Sequence, residues 1–329
     1  MSASLQPGKR APMRPMAIRP ECYACLERLL ALTVELATPD GEVRRQAHRA
    51  ARRLLDRDFG PAAIPARIAN RVLPVIHHLS GNADPFGPRK VAATALAARL
   101  HRRLAPACGE DLESLLKFAA LGNTLDFFRG EAAVTREMLA RVEFAIFHGP
   151  EFRQALAGPP GLLLYLADNA GEQFFDRPLV AALRRRGWQA LYVVKGGPIQ
   201  NDLTREDLEA SGLREPLEPV ADTGARTVGL QLDEASPGFR ELYAAAQVIV
   251  AKGMGHFETM SHLGDRRVWF LLQAKCAPVA QALGVSRNAF VFSRTPPLSP
   301  GGQDDYHVPE AENQAAPPVP GLKNPEGET

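Results

Sequence analysis

Several things are scarce in this chain, and each scarcity excludes a class of protein. Four cysteines in 329 residues are too few for a disulfide framework, so a reducing cytoplasm is the expected compartment. Neither sign of charge dominates. The 39 Lys+Arg against 37 Asp+Glu leave a formal net charge of +2, which argues against a dedicated nucleic-acid binder. No apolar run is long enough to span a bilayer, so no membrane partner is expected. The opening MSASLQPGKRAPMRPMAIRP is basic and proline-rich, but no apolar segment follows it, so no secretory signal is read. A Walker A motif is missing, and so is a G-x-G-x-x-G early in a βαβ unit. A P-loop and a Rossmann dinucleotide site are therefore not expected.

What is present is ordinary globular material, 45% hydrophobic and 23% charged, long enough for two domains or for one large domain with an accessory one. Residues 1–19 read as a flexible arm. Residues 20–155 read as a helical region. ECYACLERLLALTVELA and DLESLLKFAALGNTLDFF carry apolar residues at helical spacing, and VRRQAHRAARRLLDRDF sets an arginine-rich face against Ala and Leu. Such a face is more simply a solvated helix than a nucleic-acid surface. Residues 156–294 change character. Apolar runs LLLYLA, ALYVV, VIVA, VWFLL and AFVFS alternate with amphipathic stretches. Apolar strands alternating with helices predict an α/β fold with a mainly parallel sheet covered on both faces. The Pro-, Gly- and acid-rich tail over 295–329 has little to bury and reads as disordered.

In an open parallel sheet, ligands bind beyond the carboxyl ends of the strands. Three predicted strands end in chemistry. Asp168, Asn169, Gly171 and Glu172 follow the first. Lys195, Gly196, Gly197, Asn201 and Asp202 follow the second, and Lys252, Gly253, His256 and Glu258 follow a later one. Each alone reads as a turn or helix cap; together they lie at one edge. Asp168, Asn169 and Asp202 offer hard oxygens suited to Mg²⁺ or Mn²⁺. Gly196, Gly197 and Gly253 would let backbone N–H groups approach an anion, and Lys195 and Lys252 would add point charges for a phosphate. A metal among carboxylates beside a phosphate cradle implies phosphoryl chemistry. Glu172 is open between orienting water and capping the next helix. His256 either protonates a leaving oxygen or fills space.

Cys22 and Cys25 are i,i+3 neighbours on a predicted helix, near a start whose dipole lowers a thiol pKa. With Cys276, and less readily Cys108, they offer a second metal or redox site; chance packing of small apolar thiols is the alternative.

The motifs ECYACL, GNTLD, DNAGEQFFD, VVKGGPIQND, DTG, AKGMGHFET and KC come in an order that resembles the metal-dependent damage-control phosphatases, in particular their prokaryotic cysteine-containing branch. The resemblance runs from Glu21 to about Ser293. It implies a three-layer α/β/α sandwich with an N-terminal helical region. It also implies a divalent cation (Mn²⁺, Mg²⁺, Co²⁺ or Ni²⁺) on Asp168, Asn169 and Asp202, phosphate on Lys252 and its glycines, and Asn123, Asp126 and Glu172 near the pocket. The expected activity is hydrolysis of phosphate monoesters of small metabolites, by attack of a metal-activated water. A phosphometabolite-binding module without turnover is the alternative, and an S-adenosylmethionine-dependent methyltransferase a more distant one. Lys195 stands where many relatives carry Arg, and a point charge makes no bidentate fork to phosphate.

Overall fold

A computed structural model describes residues 16–124 and 142–295. Three helices come first: α1 (Pro20–Ala37), α2 (Gly41–Asp58) and α3 (Pro65–Ser80). Their boundaries follow local chemistry. Asp40 caps α2 by accepting the Glu42 and Val43 N–H groups. Pro65 opens α3, and Gly81 closes it at φ 68°, a conformation that costs glycine little. Leu26, Leu30, Val34, Ala47, Ala51, Leu55, Ile68, Val72, Leu73 and Ile76 form their shared core, which also takes Ile199 from the sheet's loops.

The helices α4 (Gly87–Leu104) and α5 (Leu112–Gly122) are helical as expected, yet they do not belong with the first three. They pack on the sheet, in one core with Tyr165, Tyr192 and Trp269. The sheet also begins earlier than the expected change of character at residue 156. Strand β1 (Phe144–Phe147) is already part of it, paired with the last strand, β7 (Phe290–Arg294). Met16 is buried and its N–H donates to Ser261 Oγ at 3.2 Å, while the Thr295 N–H donates to the Val268 carbonyl. The ends of the expected arm and tail are thus packed where they are described; the rest of both lies outside the described residues.

Between β1 and β7 run β2 (Leu162–Leu166), β3 (Gln189–Val194), β4 (Val220–Asp222), β5 (Val248–Lys252) and β6 (Val268–Gln273). The spatial order is β1-β7-β6-β5-β2-β3-β4, parallel except for the β6–β7 pair. Side chains alternate between two buried faces. Leu163, Tyr165, Tyr192 and Val250 meet α5 and α7 (Gln173–Arg185) on one face. On the other, Leu164, Leu166, Val193 and Ile249 meet α10 (Pro237–Ala245), α11 (Gly253–Met260) and α12 (Ala277–Leu283). Short helices α6 (Gly149–Leu156), α8 (Arg205–Ala210) and α9 (Arg214–Leu217) complete the connections. Two helical layers around a buried sheet explain why these strands are apolar throughout. Each fully buried Leu or Phe contributes roughly 1.5–3 kcal/mol.

The chain runs β2→β3→β4 in one direction, then returns to place β5 on the other side of β2. The crevice at that reversal, beyond the carboxyl ends of β2 and β5, is where such a sheet binds ligands. It holds Asp168 and Lys252-Gly253. Among the described residues no helix is long and apolar enough to cross a membrane.

Candidate active site

Asp168 follows β2 directly, and the chain then turns back across the next strand's loop. The Asp168 carbonyl accepts the Leu203 N–H at 2.8 Å, and Asn169 bridges to Asp202. This backbone lacing brings Asp168 and Asn169 together with Asp202, 34 residues after Asp168. The carboxylate of Asp168 faces the first turn of α11, where Gly253 holds φ 81° and a Cβ would lie 1.9 Å from Asp168 Oδ2. Only glycine fits there, and the positive end of the helix abuts the acid.

The orientation of Asn169 follows from its neighbours. Its Nδ2 donates to Asp168 Oδ2 and to Glu172 Oε1, both at 2.8 Å. Two carboxylates can only be met by the NH₂ end, so the carbonyl Oδ1 is the atom left for another partner. Glu172 in turn takes Asn123 Nδ2 at 3.0 Å and Lys252 Nζ at 2.8 Å on Oε2. It neither caps α7 with its side chain nor stands alone as a base. Asn123 closes α5 and arrives where Gly122 lets that helix sit against Phe175 and Glu172. Its Oδ1 is buried without a hydrogen-bond partner.

Burial, then repulsion from Glu172 and Asp202, raises the Asp168 pKa well above the carboxylate range, against the pull of Lys195 and Lys275. Burial likewise raises Asp202 to about 6, although Lys195 opposes it. Two acids pushed this way report a site short of positive charge. Asp202 Oδ2 is buried with no hydrogen-bond donor on it; the Lys195 ammonium 3.4 Å away is an ion-pair neighbour. An acceptor-only oxygen, a second carboxylate and an amide oxygen not used by the neighbouring carboxylates fit a hard divalent cation. Among the described residues no group of three or more His, Cys, Asp or Glu side chains is arranged to hold a metal, so the fit rests on this mixed set.

Other expectations are placed differently. Lys252 does not face outward to an anion. Its Nζ is fully buried, and its three donors go to the Ala119 carbonyl at 2.9 Å, Glu172 Oε2 at 2.8 Å and Asp176 Oδ1 at 2.8 Å. Burial works against its charge, but Asp176 and Glu172 outweigh it and the pKa rises. Gly196 spends its N–H on the Ala225 carbonyl, and a Cβ there would meet Gly224 at 2.4 Å; Gly197 packs on Arg226. These glycines serve loop packing. Lys195 Nζ donates to the Gly229 carbonyl at 2.6 Å and to His256 Nε2 at 3.2 Å, while His256 Nδ1 donates to the Lys252 carbonyl at 2.6 Å. Burial and Lys195 push the His256 pKa well down, so the ring is neutral and positions Lys195; it is no proton donor for a leaving group. Glu258 turns to α3, accepting the Ala66 N–H at 3.0 Å. Asp126 lies outside the described residues.

Of the expectations for the thiols, the lowered pKa at the helix start is not met. Cys22 is buried, Cys25 exposed and Cys276 half-buried as the N-cap of α12. Burial raises Cys22, and raises Cys276 to about 11, the reverse of a helix-start thiolate.

Two features escaped the sequence reading. Lys275, after β6, acts on Asp168 as a cation; its signal was the KC motif, valued only for its cysteine. Asp176, four residues after Glu172 and so on the same helix face, was the other.

Comparison with known proteins gives a consistent picture. A family model described as the damage-control phosphatase ARMT1-like domain matches residues 18–291. A Pyrococcus horikoshii protein named a damage-control phosphatase is 35% identical over 284 residues, covering 85% of this chain and 98% of its own. One of the same name from Archaeoglobus fulgidus is 28% identical over 278 residues, covering 82% and 96%. The crystal structure of a DUF89 family protein from Pyrococcus horikoshii matches with a TM-score of 0.78 and 34% identity, over 85% of this chain and 99% of that one.

Proposed function

This chain belongs to the family of the damage-control phosphatase ARMT1-like domain, and from that premise we propose that it hydrolyses phosphate monoesters of small metabolites with a divalent cation at the β2/β5 crevice. The observation that carries the reading is Asp202 Oδ2, buried without a hydrogen-bond partner and with only the Lys195 ammonium 3.4 Å away, beside Asp168 and an Asn169 whose carbonyl is left free by its two amide donations. These three residues would hold the cation, which when bound supplies Lewis-acid polarisation of a phosphoryl oxygen and acidification of a water.

The chain's own residues do the rest. The positive charge of Lys275 acts on Asp168, and the first turn of α11 abuts that carboxylate, so both would help to neutralise a phosphate held there. Lys195, fixed by Gly229 and His256, holds a second ammonium beside Asp202. The unpartnered Asn123 Oδ1 calls for a donor. That oxygen is buried beside Glu172; sugar phosphates and related damaged or misplaced phosphometabolites are the substrates that membership of this family favours.

The test is p-nitrophenyl phosphate and sugar-phosphate hydrolysis with Mn²⁺, Mg²⁺, Co²⁺ or Ni²⁺ added to chelator-treated protein. Asp168→Asn is expected to lose at least about a hundredfold in rate, the scale of removing one transition-state stabiliser. Full activity in that variant would overturn the assignment. Thermal stabilisation by ligand without any turnover would favour a binding module instead.

A further inference from the structure

Behind the crevice lies a buried polar chain that no expected role explains. Asp176 is wholly buried beneath the sheet's central strands. Its Oδ1 accepts the Tyr165 hydroxyl and Lys252 Nζ, and its Oδ2 accepts the Tyr192 hydroxyl, all at 2.8 Å. Tyr165 and Tyr192 are cross-strand partners on β2 and β3 with stacked rings, so the sheet itself fixes both hydroxyls. Burial raises both phenol pKa values well above their usual range, which keeps each a donor. Lys252 then has one acceptor from α5, one from Asp176 and one from Glu172. With its three donors met, the ammonium has no rotational choice left. Glu172 is thereby anchored through Oε2, which Asn123 Nδ2 also meets at 3.0 Å, while Oε1 accepts the Asn169 amide at 2.8 Å and Asn123 Nδ2 at 3.3 Å.

We propose that Asp176 is a positioning residue for divalent-cation binding, acting through Lys252 and Glu172 on the rotamer of Asn169. The argument is one of orientation. Asn169 presents its carbonyl only while both N–H groups are held by Asp168 and Glu172. Glu172 holds its share through Lys252, the charged donor on its other oxygen, with the Asn123 amide as a neutral second donor. Lys252 stays pinned only while Asp176 supplies a charged acceptor in a place where an unpaired ammonium is expensive. Each link is a charge-assisted hydrogen bond in a dry interior, where such chains are stiff. The inference rests on the reading of Asp168, Asn169 and Asp202 as the cation's ligands.

The experiment is calorimetric titration of Mn²⁺ into chelator-treated, full-length protein, with melting temperature and circular dichroism recorded alongside. Asp176→Asn is expected to weaken Mn²⁺ binding about 10–100-fold, the range for groups that orient metal ligands. Tyr192→Phe removes one hydroxyl from a framework otherwise kept, and is expected to show a smaller loss of the same kind if Asp176→Asn fails to fold. Within the Glu172→Gln background, either change should add little, because the path is already cut. A folded Asp176→Asn or Tyr192→Phe variant that melts lower yet binds Mn²⁺ like the parent overturns the proposal and leaves the ligand assignment standing. Additive losses in the Glu172→Gln background would also overturn it. A parent protein that binds no Mn²⁺ overturns the ligand assignment, and the proposal with it.

Discussion

Gly253 and Asp168 meet so closely that a single methyl group on the glycine would lie 1.9 Å from the acid's Oδ2. The contact joins the end of β2 to the start of α11 across the reversal in strand order. Gly253→Ala therefore has two costs, a left-handed backbone at φ 81° that alanine resists and a displaced carboxylate. We expect a destabilised and nearly inactive protein. A shift of about 1 Å in a reacting group costs on the order of a hundredfold in rate. Wild-type turnover in a folded Gly253→Ala variant would mean that Asp168 is not in the chemistry.

The two lysines separate by experiment. Lys275→Met should lower kcat/KM on p-nitrophenyl phosphate by about tenfold or more, since it removes a cation acting at Asp168. Lys252→Met strands the buried Glu172 and Asp176 charges. Breaking such a pair costs about 3–5 kcal/mol, so its melting temperature should fall by roughly 10 °C. Unchanged melting for Lys252→Met, with only phosphate affinity lost, would reverse the two roles.

That contrast marks where the sequence was legible. Asp168, Asn169 and Asp202 sit at the ends of apolar runs, and a parallel sheet gathers such ends at one edge. Lys252 sits at an end too. Its direction depends on the Ala119 carbonyl, 133 residues earlier, and no local pattern reports that. Glu258 follows Gly253 by five residues, which on a helix is about 140° round the axis, so the two cannot serve one crevice. This much could have been read from spacing. Strand β1, FAIF, and strand β4, VAD, are too short for periodicity to separate them from neighbouring helix or loop. His256 was ambiguous because only burial beside Lys195 decides its charge.

Cation affinity should bend with pH near the Asp202 value. Its carboxyl is raised from an ordinary 3.8 to about 6, so protons compete with a cation below that point. We expect Mn²⁺ affinity to fall at least about tenfold per unit below pH 6, with the Asp168 carboxyl, itself raised by burial, adding its own proton to the competition. Lys195 opposes the shift, so Lys195→Met should move the bend to higher pH. Calorimetric titrations at pH 5, 6, 7 and 8 measure this. Affinity flat across that range would remove Asp202 from the ligand set.

Glu258 makes a prediction about stability alone. Burial raises its pKa from 4.5 to about 7, and the single Ala66 N–H opposes this only in part. The sign follows from proton counts. Between those two values the folded state holds a proton that the unfolded chain has released, so stability falls as pH rises from 4.5 to 7. Above 7 the full penalty is in place, about 3 kcal/mol at 1.36 kcal/mol per unit. Glu258→Gln keeps a carbonyl oxygen for the Ala66 N–H and carries no charge. In urea titrations of metal-free protein it should match the parent at pH 4.5 and exceed it at pH 8, by up to that amount. Equal stability of the two proteins at pH 8 would mean that the Glu258 carboxylate finds compensation beyond the Ala66 N–H.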